Sequence, residues 1–146
     1  MIKLKYTIYF KEFTTLIIVY TDGASEGNPG KSSVGIVINE NGHVLEYSQP
    51  IGVMSNHEAE FWAVIYALDV CLEKFPGEIL SFRTDSKIVV DTIEKNYTKN
   101  EKFLPLLEKI RDRSQHFPYM FIKWIPTDQN KHADQLAKRA LNETSS

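Results

Sequence analysis

The chain has 146 residues, with 17 Lys and Arg against 19 Asp and Glu, for a formal net charge of −2. That length fits one domain, large enough to fold around its own core without a disulfide or structural metal. The slight acidity argues against a protein that coats phosphate through a global basic field, so any nucleic-acid contact must be local. The only cysteine, Cys71, sits between Val70 and Leu72, which suits a reducing compartment and carries no sign of nucleophilic work.

Residues 1–13 alternate charges with aromatics and lack both the apolar core and the small-residue cleavage site of a signal peptide. The chain also has no run of eighteen apolar residues, so no membrane span and a cytoplasmic location are expected.

Leu16 to Thr21 is a β-branched apolar run long enough for a buried strand, and Asp22 to Gly30 after it is dense in turn formers. Val34 to Ile38 and Val44 to Ser48 are two further strands, joined through Asn41-Gly42 as a hairpin. Asn56 to Phe75 is a helix with apolar residues at helical spacing. Ser55 and Glu58 form a capping box at its start and Pro76-Gly77 ends it. Ile79 to Thr84 is a strand, and Ser86 to Lys95 a helix. Leu104 to Arg113 is a helix, Tyr119 to Ile125 a strand, and Asn130 to Leu141 a last helix. A three-stranded meander followed by alternating strands and helices implies one mixed sheet with helices packed on it.

Four acids stand at junctions of these elements. Asp22 follows the first strand and Asp85 the fourth, and strand ends are where open α/β sheets meet ligands. Glu60 lies two residues beyond the capping Glu58, roughly 200° around the helix, so it must face elsewhere. Asp134 lies in the first turn of the last helix. Singly, Asp22 reads as turn chemistry, Asp85-Ser86 as an N-cap pair and Asp134 as a charge favourable to a helix start. Together they read as a cluster that would repel itself without cations between its members, and hard oxygen ligands suit Mg²⁺ or Mn²⁺.

The run Tyr20-Thr21-Asp22-Gly23-Ala24-Ser25-Glu26-Gly27-Asn28-Pro29-Gly30 resembles the opening signature of the type 1 ribonuclease H family. Asn56-His57-Glu58-Ala59-Glu60, Thr84-Asp85-Ser86 and Asn130-Lys131-His132-Ala133-Asp134-Gln135-Leu136-Ala137 resemble its second, third and fourth motifs, in the family's order.

The resemblance implies the ribonuclease H-like fold: a five-stranded mixed sheet, three strands antiparallel and then two parallel, flanked by helices. It implies endonucleolytic hydrolysis of the RNA strand of an RNA–DNA hybrid by a monomer, through a two-metal-ion mechanism that leaves 5′-phosphate and 3′-hydroxyl ends. Asp22, Glu60, Asp85 and Asp134 would hold two Mg²⁺ ions, with Mn²⁺ able to substitute. Asn28 and Asn56 would read the minor groove, while Ser55 and Asn100 would hold a DNA phosphate.

Residues 16–142 would be the catalytic domain and 143–146 a disordered tail. Residues 1–15 would be an extension, as an added strand around Tyr6 to Phe10 or as a loose arm. The chain departs from many members of the family in two places. The loop Trp124 to Asn130 has no histidine, with Thr127 in its place, and no basic protrusion fits between Lys95 and Lys102. A slower enzyme with weaker grip is expected. A weakly active or inactive homologue that binds hybrid or serves an accessory role remains the alternative, ahead of a related exonuclease or resolvase.

Overall fold

The computed structural model describes residues 15–144. The strand expected around Tyr6 to Phe10 lies outside the described residues. Five strands form one sheet: β1 (Leu16–Ser25), β2 (Gly30–Glu40), β3 (His43–Met54), β4 (Ile79–Thr84) and β5 (Met120–Trp124). Their order across it is β3-β2-β1-β4-β5, with β1, β2 and β3 antiparallel and β1, β4 and β5 parallel. Four helices complete the fold: α1 (Asn56–Lys74), α2 (Lys87–Lys95), α3 (Leu104–Ser114) and α4 (Lys131–Thr144).

Period-two alternation divides the sheet between two cores. Ile17 and Val19 of β1, Ile36 and Ile38 of β2, and Leu80 and Phe82 of β4 are buried in one cluster with Phe61, Ile65 and Leu68 of α1. Tyr20 and Val37, one residue out of phase, pack instead with Ala133 and Leu136 of α4. The sheet thus has α1 on one face and α4 on the other.

Local chemistry sets the turns and helix starts. Asn41 and Gly42 both take positive φ, 51° and 87°, as the expected hairpin requires. At α1, the Ser55 hydroxyl accepts from Glu58 N–H at 3.1 Å and Glu58 Oε1 accepts from Ser55 N–H at 3.1 Å, completing the capping box.

Several boundaries differ from expectation, among them the end of β3, which runs to Met54 and not Ser48. Asp22 does not close β1: the strand continues to Ser25, and Asp22 to Ser25 pair with Gly35 to Ser32 of β2. The turn shrinks to residues 26–29, with a cis bond between Asn28 and Pro29. Ser32 and Ser33 explain the longer β2, because their buried hydroxyls donate to the carbonyls of Gly30 and Ala137 respectively, leaving no need for water. At the other end, α4 runs through Thr144, so 143 and 144 are helical and not tail.

Two glycines on neighbouring strands let the helices come close. A Cβ on Gly23 would lie 2.4 Å from the backbone carbon of Ala59 and 2.5 Å from Glu60 N, so β1 touches the α1 backbone there. A Cβ on Gly35 would lie 2.0 Å from Ala133 O and 2.6 Å from Ala137 N, so β2 touches α4. Backbone cannot move aside as a side chain can. Gly35→Ala should therefore push α4 off the sheet and cost about 1–3 kcal/mol, as overpacking does. Urea unfolding measures this, and an unchanged midpoint would refute the close contact.

Candidate active site

The pairing of β1 with β4 sets Tyr20 beside Arg83. Two residues further along each chain come Asp22 and Asp85, which the parallel register brings level at one end of the sheet. Gly23 admits α1 and so Glu60, while Gly35, the direct partner of Asp22, admits α4 and so Asp134. The structure thus brings all four sequence-selected acids together.

Their mutual field shows in Asp22, which is only 7% exposed. Burial, first, and then the charge of Asp85, a hydrogen bond with and the charge of Asp134, and the charge of Glu60 push its carboxyl up to about 9. Glu60 is also raised, mainly by burial and in part by Asp85, against hydrogen bonds from Ser86 and His57 that favour its anion. Asp134 has one compensating cation, Lys138, at 2.9 Å.

Asp85 is held from two sides. Its Oδ1 accepts from Asn130 Nδ2 at 3.0 Å, and its backbone carbonyl accepts from Trp124 Nε1 at 3.1 Å. Ser86, not Asp85, caps α2, its hydroxyl accepting from Val89 N–H at 3.4 Å. Asp85 is thereby released from the structural role that the sequence alone could assign to it.

An open cleft of about 500 Å³ is lined by His57, Glu60, Asp85, Ser86, Lys87, Ile88 and Trp124. Sequence reasoning named His57 only within the second motif, yet its Nδ1 stands 3.5 Å from Glu60 Oε2. It missed Lys87, whose ammonium sits 4.9 Å from the centre of the Trp124 ring. The spacing of His57 and Glu60 at i and i+3 was the available signal for the first. Nothing local in the sequence pairs Lys87 with Trp124, which are joined only by the β4–β5 crossover.

The four candidate substrate contacts fall in two places. Asn28 and Asn56 meet directly, Asn28 Oδ1 accepting from Asn56 N–H at 3.2 Å, and Asn56 Nδ2 lies 3.5 Å from Glu60 Oε1. Ser55 is the cap of the same helix. Asn100 sits in the turn before α3, with Oδ1 accepting from Lys102 N–H at 2.8 Å. Phe103, at the end of that turn, packs edge-on to His57 with ring centres 6.3 Å apart, which draws the turn toward the start of α1.

Among the described residues no group of three acidic, histidine or cysteine side chains is arranged to hold a metal ion as it stands. The donor chemistry nevertheless fits one. Four carboxylates offer hard oxygens around a point where Asp22 can ionise only against its neighbours, and a divalent cation there would remove that opposition. Cys71 is no competitor, since burial pushes its thiol up to about 12.

The raised Asp22 has a consequence for stability. The folded state binds its proton more tightly than the unfolded chain, so this group's contribution is fully present below about pH 4 and is lost as pH rises through about 9. In chelator, Asp22→Asn should melt higher than wild type at pH 8, with the gap closing toward pH 4. Thermal unfolding across that range measures it, and a gap that does not vary with pH would contradict the crowded-acid picture.

A family model described as "Reverse transcriptase-like" matches residues 20–140. A relative from Enterococcus faecalis named "Putative hydrolase EbsB" is 43% identical over 127 residues, covering 86% of this chain and 94% of its own. Ribonuclease H from Rippkaea orientalis is 33% identical over 144 residues, covering 88% of this chain and 86% of its own. Among solved structures, LC11-RNase H1 in complex with an RNA/DNA hybrid is similar, with a TM-score of 0.82 and 32% identity over 89% of this chain and 99% of that one. Fold, motif order and relatives agree, and the chain belongs to the type 1 ribonuclease H family.

Proposed function

We propose that this chain hydrolyses the RNA strand of RNA–DNA hybrids endonucleolytically, with divalent metal, leaving 5′-phosphate and 3′-hydroxyl ends. The observation that carries the reading is the convergence on the buried Asp22 of three other acids, from α1, the β4–α2 junction and α4; burial first, and then their charges, raises its carboxyl. A fold gains no stability from such a cluster, so its use must lie in what it binds. The family membership and the hybrid complex of a similar enzyme support the substrate.

Asp22, Glu60, Asp85 and Asp134 would hold two Mg²⁺ or Mn²⁺ ions. When bound, such ions neutralise the acids, attract the scissile phosphate and make a water acidic enough to attack it near neutral pH. The chain's own groups do the rest. The Asp22 backbone is fixed by strand pairing on one side and by the α1 contact at Gly23 on the other, which sets where its carboxyl starts. Glu60, with Asn56 and His57 against it at 3.5 Å, would accept from a ribose 2′-hydroxyl, a group that DNA lacks.

Asn28 in the β1–β2 turn and Asn56 at the start of α1, hydrogen-bonded to each other, would read the minor groove, with Ser55 and Asn100 on a DNA phosphate. Because these groups meet sugar and phosphate, sequence preference should be slight. The reading includes a monomer acting in the cytoplasm. In the described residues no helix is long and apolar enough to cross a membrane. Thr127 begins the 3-10 turn Thr127–Gln129, in the loop where many family members carry a histidine, and slower turnover is part of the proposal.

The test is cleavage of a labelled RNA–DNA hybrid with Mg²⁺ or Mn²⁺, beside single-stranded RNA and duplex RNA. Hybrid alone should be cut, only with metal, and Asp22→Asn should lower the rate by more than about 100-fold. End-labelling should find 5′-phosphates. Folded protein that binds hybrid but cuts nothing in either metal would replace the enzyme with a hybrid-binding homologue.

A further inference from the structure

Asn130 is the most constrained polar side chain near the acids and has no part in the mechanism so far. It is 2% exposed, at the junction between the turn Thr127–Gln129 and α4. Its Nδ2 donates to Thr21 O at 2.9 Å and to Asp85 Oδ1 at 3.0 Å, so both amide protons are used. Its own backbone carbonyl accepts from Asp134 N–H at 3.1 Å. One residue therefore ties the backbone beside Asp22, the side chain of Asp85 and the backbone of Asp134.

The other end of the amide gives the orientation away. Asn130 Oδ1 is buried with no partner. A structural asparagine would rather turn its oxygen toward a donor, since an unmatched buried acceptor costs about 1–3 kcal/mol. Turning here would aim oxygen at Thr21 O and Asp85 Oδ1, two acceptors, so the side chain is locked as it stands. The fold tolerates the orphan oxygen for the sake of the two donated bonds.

We propose that Asn130 is the positioning residue of the acid cluster: its amide clamps one oxygen of Asp85 to the β1 backbone at Thr21, leaving the other carboxylate oxygen available to a cation. The inference rests on the metal-dependent reading above and adds to it the group that fixes a ligand's orientation. Residues that hold ligating carboxylates by hydrogen bonds govern metal affinity without touching the metal. Asn130 acts on Asp85 in this way, and through its backbone it sets where α4 starts and so where Asp134 stands.

The experiment measures Mn²⁺ binding by paramagnetic resonance on the full chain, followed by hybrid cleavage at saturating metal and thermal unfolding in chelator. The variants are Asn130→Ala and Asn130→Asp. The aspartate keeps the volume but cannot donate, and it brings a fifth carboxylate against Asp85. Both should bind Mn²⁺ about 10-fold to 100-fold more weakly, with kcat lowered and KM for hybrid unchanged. Aspartate should be no better than alanine.

A lower melting temperature with Mn²⁺ affinity and kcat intact would overturn the proposal and leave Asn130 a structural residue. So would aspartate behaving as wild type. Should alanine fail to fold, the aspartate variant alone decides. Wild type that binds Mn²⁺ without cutting hybrid would defeat the functional reading, while the Mn²⁺ affinities of the variants would still judge Asn130. Wild type that binds no Mn²⁺ would defeat both.

Discussion

Everything at this site depends on two helices approaching one pair of strands more closely than any side chain would allow. Gly23 and Gly35 are one residue apart in the β1–β2 ladder, since Asp22 pairs with Gly35 and Gly23 with Val34. One admits the backbone of α1 and the other the backbone of α4, from elements that pack against opposite faces of the sheet. Asp22 lies between these contacts, in the same strand as one glycine and opposite the other. Replace either contact by ordinary side-chain packing, with helix and sheet about 10 Å apart, and Glu60 or Asp134 would recede from Asp22 by several ångströms. The acid cluster follows from the absence of two Cβ atoms.

The closeness has an electrostatic cost that the remainder of the chain must offset. Asp22 ionises against burial and three like charges, whereas hydrogen bonds from Ser86 and His57 ease Glu60, and Lys138 sits on Asp134. The compensation is unequal, and Asp22, whose backbone is fixed by its pairing with Gly35, receives the least. That arrangement suits a group that must not move when a cation arrives, because rigid donors lose little freedom on binding. Stability comes from elsewhere, mainly the apolar cluster under α1, where Phe61, Phe82, Ile17 and Leu80 are all fully buried. Core and site thus occupy different parts of the same sheet.

Much of this was legible in the sequence, and the failures have a common cause. Element order, the capping box at Ser55 and Glu58, the Asn41-Gly42 hairpin and the four acids all rest on local patterns, and the structure contains each of them. Asp22-Gly23 misled because a glycine after an aspartate signals a turn locally, while here it is extended strand making room for a helix 36 residues away. Asn130 entered only as the first residue of the fourth motif, without a role, because a helix-start asparagine is ordinary and its partners Thr21 and Asp85 are distant in sequence. Trp124 and Lys87 escaped for the same reason. Short-range pattern reveals which residues could do chemistry, and only tertiary pairing reveals which residues hold them.

The acidity of the chain, at first sight a difficulty for a nuclease, becomes intelligible at the site. A surface with a net charge of −2 and four clustered carboxylates repels a phosphate backbone. The described cleft offers only Lys87 as a lasting positive charge, and that ammonium is already engaged with the Trp124 ring. In the cleft beside Glu60 and Asp85, side-chain cations therefore offer a phosphate little attraction. Under the proposed function, the divalent charge that relieves the acids would also attract the scissile phosphate. Metal binding would then depend on how well Asp22, Glu60, Asp85 and Asp134 are kept in register, which is the task of Gly23, Gly35 and Asn130.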